Sequence, residues 1–137
     1  MHFADQGQYA VRCEWDAGGM AALAPADIYM VVDVLSFCTT VDIAVARGAT
    51  VLPYGNPHDA SAYAAANQAI LAGGRSGWQV PWSISPRSMQ EIPAGTRIVV
   101  PSPNGSRLAS LASQRGATVI AGSLRNARAV AHWAAAH

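Results

Sequence analysis

Three short segments of this sequence combine hydroxyl, amide and carboxylate side chains within a few residues of one another. They are Asp33-Val34-Leu35-Ser36-Phe37-Cys38-Thr39-Thr40, Pro101-Ser102-Pro103-Asn104-Gly105-Ser106 and Gly122-Ser123-Leu124-Arg125-Asn126. Each stands between an apolar run and a helical pattern. The free N–H groups and positive dipole end of the following helix favour an anion, phosphate above all. The same residue types also serve as N-caps that satisfy the helix's own orphan donors. Residue type and spacing leave both roles open. Asp33 is a different case. It follows Tyr29-Met30-Val31-Val32, and an unpaired carboxylate at a buried strand end is costly. Such a group either accepts bonds from backbone donors or binds a cation.

These turns need strands ahead of them and helices behind. Residues 28–34 are nearly all apolar, as in a strand buried on both faces. A helix over 40–47 is stopped by Gly48, and a strand over 50–54 follows. The alanine-rich stretch 58–71 reads as a helix ended by Gly73-Gly74. Residues 73–87 read as an ordered loop, and Pro86 opens a helical turn towards Ile92. A strand over 97–100, a helix over 106–114, a strand over 118–121 and a helix over 124–137 complete the order. Ahead of all these, Tyr9, Val11, Cys13 and Trp15 alternate with more polar neighbours, which predicts a half-buried edge strand, and residues 21–23 read as helical.

Alternating strands and helices predict a three-layer α/β/α fold with a mainly parallel sheet, incomplete at its C-terminus. The three turns then share the carboxyl edge, where ligands of open parallel sheets bind. Residues 1–137 make one domain, with Pro93 and Gly95 marking a division between two βαβα halves.

Composition excludes several classes. A net charge of +1 gives no field for nucleic acid or an anionic membrane. The chain has no lysine, which removes Schiff-base and P-loop chemistry. Cys13 and Cys38 form no CxxC pair and read as buried thiols acting as small apolar residues. No apolar run approaches the roughly 18 residues of a membrane span, and Met1-His2-Phe3-Ala4-Asp5 is no secretory signal. A cytoplasmic location is expected. The charged fraction, 12%, is about half the usual share, as for a surface covered by a partner subunit or by further chain. A homo-oligomer is expected on that ground. His2, His58, His132 and His137 read as ordinary surface histidines, and Trp78 and Trp82 either line a mouth or cover a core edge.

From Asp27 onward the chain resembles the 2-phosphosulfolactate phosphatase family. The resemblance rests on Val31-Val32-Asp33-Val34-Leu35 with Thr39-Thr40, on Asn104-Gly105-Ser106, and on Gly122-Ser123 with Asn126, with Gly73-Gly74 and Ser85-Pro86 in order between them. It implies a magnesium-dependent phosphatase acting on a small phosphorylated metabolite; the family's named substrate is a phosphorylated sulfolactate of coenzyme M synthesis. By the same resemblance, Asp33 is the metal ligand or lies next to it and, with Asn104 and Ser123, is catalytic, the ester being hydrolysed by a metal-activated water or by attack from Asp33. Ser36, Thr39, Thr40, Gly105, Ser106, Arg125 and Asn126 hold the substrate. The chain departs from the family pattern at three places. Ser36 stands where an arginine is usual, Ile84 where an asparagine is usual, and Arg75-Ser76 follow Gly74 where a glutamate is expected nearby. Arg107 or Arg125 can replace the missing guanidinium. The alternatives are a non-catalytic domain that binds a phosphorylated metabolite, an inactive truncated homologue, or a fragment whose sheet edge pairs with another chain.

Overall fold

The computed structural model describes residues 3–74 and 80–137. Its strands are β1 Ile28–Val32, β2 Thr50–Tyr54, β3 Ile70–Leu71, β4 Arg97–Pro101 and β5 Thr118–Gly122. The α-helices are α1 Asp16–Ala22, α2 Phe37–Ala46, α3 Ala60–Ala66, α4 Gly105–Gln114 and α5 Ala127–Ala135, and Pro86–Glu91 is a 3₁₀ helix. The strands form two sheets, β1-β5 and β2-β4-β3, and every pairing among them is parallel. The fold is α/β, as the alternating pattern requires.

β4 is the centre of its sheet and its Ile98, Val99 and Val100 are fully buried. Successive side chains of a strand point to opposite faces. Ile98 and Val100 join Phe37, Met89, Ile92 and Ala109 in the main core, while Val99 faces the other way, and α3 lies against β3 and β4. α2 and α4 each touch both β2 and β5, so this helix pair bridges the two sheets. Both helices end in a glycine with positive φ, Gly48 at 85° and Gly116 at 76°, the left-handed conformation that closes a helix without a Cβ penalty.

Several expectations are corrected. Residues 9–15 form no strand, and Tyr9, Val11 and Trp15 are exposed. The Gln6 side chain takes the place of a neighbouring strand, accepting from Cys13 N–H and donating to the Cys13 carbonyl. β1 is buried on one face only: Tyr29 and Val31 are covered, whereas Met30 and Val32 are 43% and 65% exposed. Its single neighbour is β5, and α4 and the core take the face of Tyr29, Val31 and Val119. The 58–71 helix is shorter than its alanine content suggests. Gln68 turns to a φ of 51°, and Ile70 and Leu71 pair with Ile98 and Val99 as β3, so strand pairing overrides helix propensity. The last helix starts at Ala127, because residues 123–126 form a closed turn. Pro93 and Gly95 divide nothing, since each sheet takes strands from both sides of them. Cys38 is buried as expected, but Cys13 is exposed. Trp82 packs against the core; Trp78 lies outside the described residues.

Candidate functional site at the carboxyl edge

β1 leads into α2 through a tight corner whose polar groups are nearly all committed. Cys38 N–H donates to the Asp33 carbonyl at 2.8 Å, and the Thr39 hydroxyl to the Val34 carbonyl at 2.8 Å. The Leu35–Ser36 peptide is cis. The Ser36 and Thr40 hydroxyls both donate to the Ile84 carbonyl, at 2.9 and 2.6 Å, tying the corner to the loop before the 3₁₀ helix. Ser36 holds the N-cap position without capping α2 through its side chain. The Asp33 carboxylate stands apart. It is half-buried, and among the described residues it makes no hydrogen bond or ion pair.

The thiol of Cys38 sits beneath this corner. It donates to the Val31 carbonyl at 3.0 Å and receives the Asp33 N–H at 3.4 Å. Burial pushes its pKa up, partly opposed by hydrogen bonds from the Asp33 and Gly122 backbone. One side chain thus touches the ends of both β1 and β5. Residue type alone gave no sign of it, because a cysteine after a strand looks like any small apolar residue.

The β5 corner meets the β1 corner by register. Val32 pairs with Gly122, so Asp33 and Ser123 leave the sheet side by side. Ser123 is buried, and its N–H and hydroxyl both donate to Asn126 Oδ1, at 2.8 and 3.2 Å. The Asn126 amide in turn donates to the Ala121 carbonyl at 3.0 Å. Asn126 therefore closes its own turn. Arg125 reaches out of that turn to α2, where its Nε donates to Asp42 Oδ2 at 2.9 Å.

The β4 corner is brought in by a close contact. A Cβ on Gly105 would lie 2.7 Å from Phe37 Cβ and nearer still to the ring. Only glycine allows the start of α4 to touch the start of α2 there. Ser102, buried and missed by sequence reasoning although it stands in the quoted turn, caps α4 by accepting from Gly105 N–H at 3.2 Å. The Ser106 hydroxyl, fully buried, donates to the Val100 carbonyl. Asn104 is exposed and its side chain caps nothing.

The structure thus brings Asp33, Ser36, Thr39, Asn104, Gly105 and Ser123 to one edge. It turns Thr40 and Ser106 inward onto backbone carbonyls, spends the Asn126 amide locally, and lays Arg125 along α2. A family model for 2-phosphosulpholactate phosphatase matches residues 20–137, a span that holds all five strands and all three corners. The chain belongs to this family. No curated protein and no solved structure matches it. In this member of the family two of the departures meet, since the Ile84 carbonyl receives the Ser36 hydroxyl. Magnesium commonly takes one or two carboxylates and fills its shell with water and substrate phosphate. Asp33 fits as a single protein ligand of that kind; among the described residues no group of three His, Cys, Asp or Glu side chains gathers for a metal. No helix among the described residues is long and apolar enough to cross a membrane.

Proposed function

We propose that this chain hydrolyses a small phosphate monoester with magnesium, in the manner of its family, and does so in the cytoplasm. The observation that carries the reading is Asp33: a half-buried carboxylate without a partner among the described residues, at a strand end flanked by two other corners. Among the described residues nothing competes with a cation for this carboxylate. When bound there, magnesium supplies charge neutralisation for the transferring group. Asn104 and Ser123 flank the reacting phosphoryl, and the positive dipole ends of α2 and α4, set by the Ser36–Thr40 and Gly105–Ser106 corners, stabilise its oxygens. The hydroxyls of Thr40 and Ser106 serve by fixing those corners, and Asn126 and Arg125 by shaping the third. The family's phosphorylated sulfolactate is the first substrate to try.

Hydrolysis of para-nitrophenyl phosphate and of 2-phosphosulfolactate, with magnesium and with chelator, tests the reading. Turnover that needs the metal and is lost in Asp33→Asn is expected. Turnover unchanged by chelator, or full turnover in the variant, refutes it. A second reading, binding without hydrolysis, is favoured by Ser36, which stands where the family's arginine is usual and turns its hydroxyl onto the Ile84 carbonyl; saturable phosphate binding without turnover decides for it. We also propose a homo-oligomer, its contact formed by the outer face of β1, where Met30 and Val32 are exposed, and by the exposed Leu35 and Leu124 of the corners after β1 and β5. A monomer by light scattering overturns that part alone.

A further inference from the structure

Arg125 was expected in the substrate site, yet its guanidinium lies on the flank of α2, at Asp42, about 8 Å along the helix from Phe37 at 1.5 Å per residue. There it lines a groove with Ile43, Ala46, Arg47 and Gln90, of about 160 Å³. That is room for about five waters at ~30 Å³ each, and so for one small polyatomic anion. We propose that this groove, between α2, the Pro86–Glu91 3₁₀ helix and the β5 corner, is a second binding site, which takes a small oxyanion or carboxylate.

The donor set carries the inference. An arginine offers five N–H donors in a planar fork suited to oxyanions. Asp42 occupies the Nε of Arg125 at 2.9 Å and leaves its two terminal nitrogens without a partner among the described residues. Arg47 makes no ion pair among them, and the Gln90 amide makes no hydrogen bond. Glu91, next in the chain to Gln90, pairs with neither arginine. Two arginines therefore line this solvent-open groove against one carboxylate, beside the apolar Ile43 and Ala46. Asp42 is the less exposed member of its pair, 19% against 57%, so it orients Arg125 rather than being carried by it. The site is distinct from Asp33, though Arg125 belongs to the turn that Ser123 and Asn126 close.

Titration of the isotope-labelled full chain with inorganic phosphate, and separately with malonate, followed by amide chemical shifts, tests this. Saturating shifts at Ile43, Ala46, Arg47 and the Gln90 side chain are expected with a Kd of about 1 mM. Arg47→Ala and Arg125→Ala should each weaken the response by roughly tenfold or more, the effect of losing a charge-assisted bond. Asp33→Asn should leave it in place, which separates this site from the proposed phosphatase site. No saturating shift at these residues with either anion overturns the inference, as does a response that survives both arginine substitutions.

Discussion

Replacing Gly105 with alanine probes the contact that joins two of the three corners. The added methyl would sit 2.7 Å from Phe37 Cβ and closer to its ring, whereas apolar carbons rest about 3.5–4.0 Å apart. Phe37 is 3% exposed and belongs to the main core, so the ring has nowhere to go. Either α4 retreats from α2 by about 1 Å or more, or the core repacks, and such overpacking costs about 1–3 kcal/mol. Alanine recovers up to about 1 kcal/mol of helix propensity, less in a first turn. A net loss of about 2 kcal/mol follows at the upper part of that range. For a chain of this size it corresponds to a fall in Tm of roughly 4–12 °C. Urea unfolding should show a lower midpoint with the slope unchanged. Pairing the change with Phe37→Leu should cost less than the two singles summed, because the shared overlap is relieved. If Gly105→Ala alone matches or exceeds the parent in stability, the two helix starts are not in contact and the three-corner site loses its frame.

Asp33→Asn should leave stability within about 0.5 kcal/mol, as usual for a partly exposed side chain without a protein partner; chemical denaturation reads this, and a loss of several kcal/mol would mean the carboxylate is a structural anchor. Ser106→Ala should cost about 1 kcal/mol, the usual worth of one buried hydrogen bond, again by denaturation midpoint. At mildly alkaline pH, Ellman's reagent should titrate Cys13 rapidly and Cys38 only on unfolding, because Cys13 is exposed and Cys38 is buried with a raised pKa. The same shift fixes a pH dependence. The folded state holds the Cys38 proton more tightly than the unfolded state, so its contribution is complete below the ordinary thiol value of 9.0 and declines as pH rises above it; Cys38→Ala should flatten the decline in a denaturation series.

Much of the frame was legible because local pattern and tertiary role agreed. β2, β4 and β5 lie within a residue of their expected ranges, and Gly48 stops α2 where a glycine stop was expected. Asp33 stood out for the same reason, as a charge that ends an apolar run. What was not legible depends on partners distant in sequence. The alternation from Tyr9 to Trp15 promised a strand, but nothing in that segment says whether a neighbour exists to pair with it. The brief β3 was hidden inside an alanine-rich stretch, since two residues carry no period of their own. The outer face of β1 looked buried because apolar residues alone do not say which face a helix will cover. In the site, hydroxyls identified by type proved to be bound to carbonyls, and whether a serine faces a ligand or a backbone oxygen cannot be read from its neighbours in sequence.

The pairing of Ile28 with Thr118 has a bearing on how the chain is made. At about 5–20 residues per second, the nascent β1 waits on the order of ten seconds for the strand that completes its ladder. Throughout that interval Tyr29, Met30, Val31 and Val32 emerge into the cell as an unpaired, uncharged ribbon of the kind chaperones recognise. Assembly of β2, β3 and β4 can proceed meanwhile, so the corner that bears Asp33 matures after that sheet.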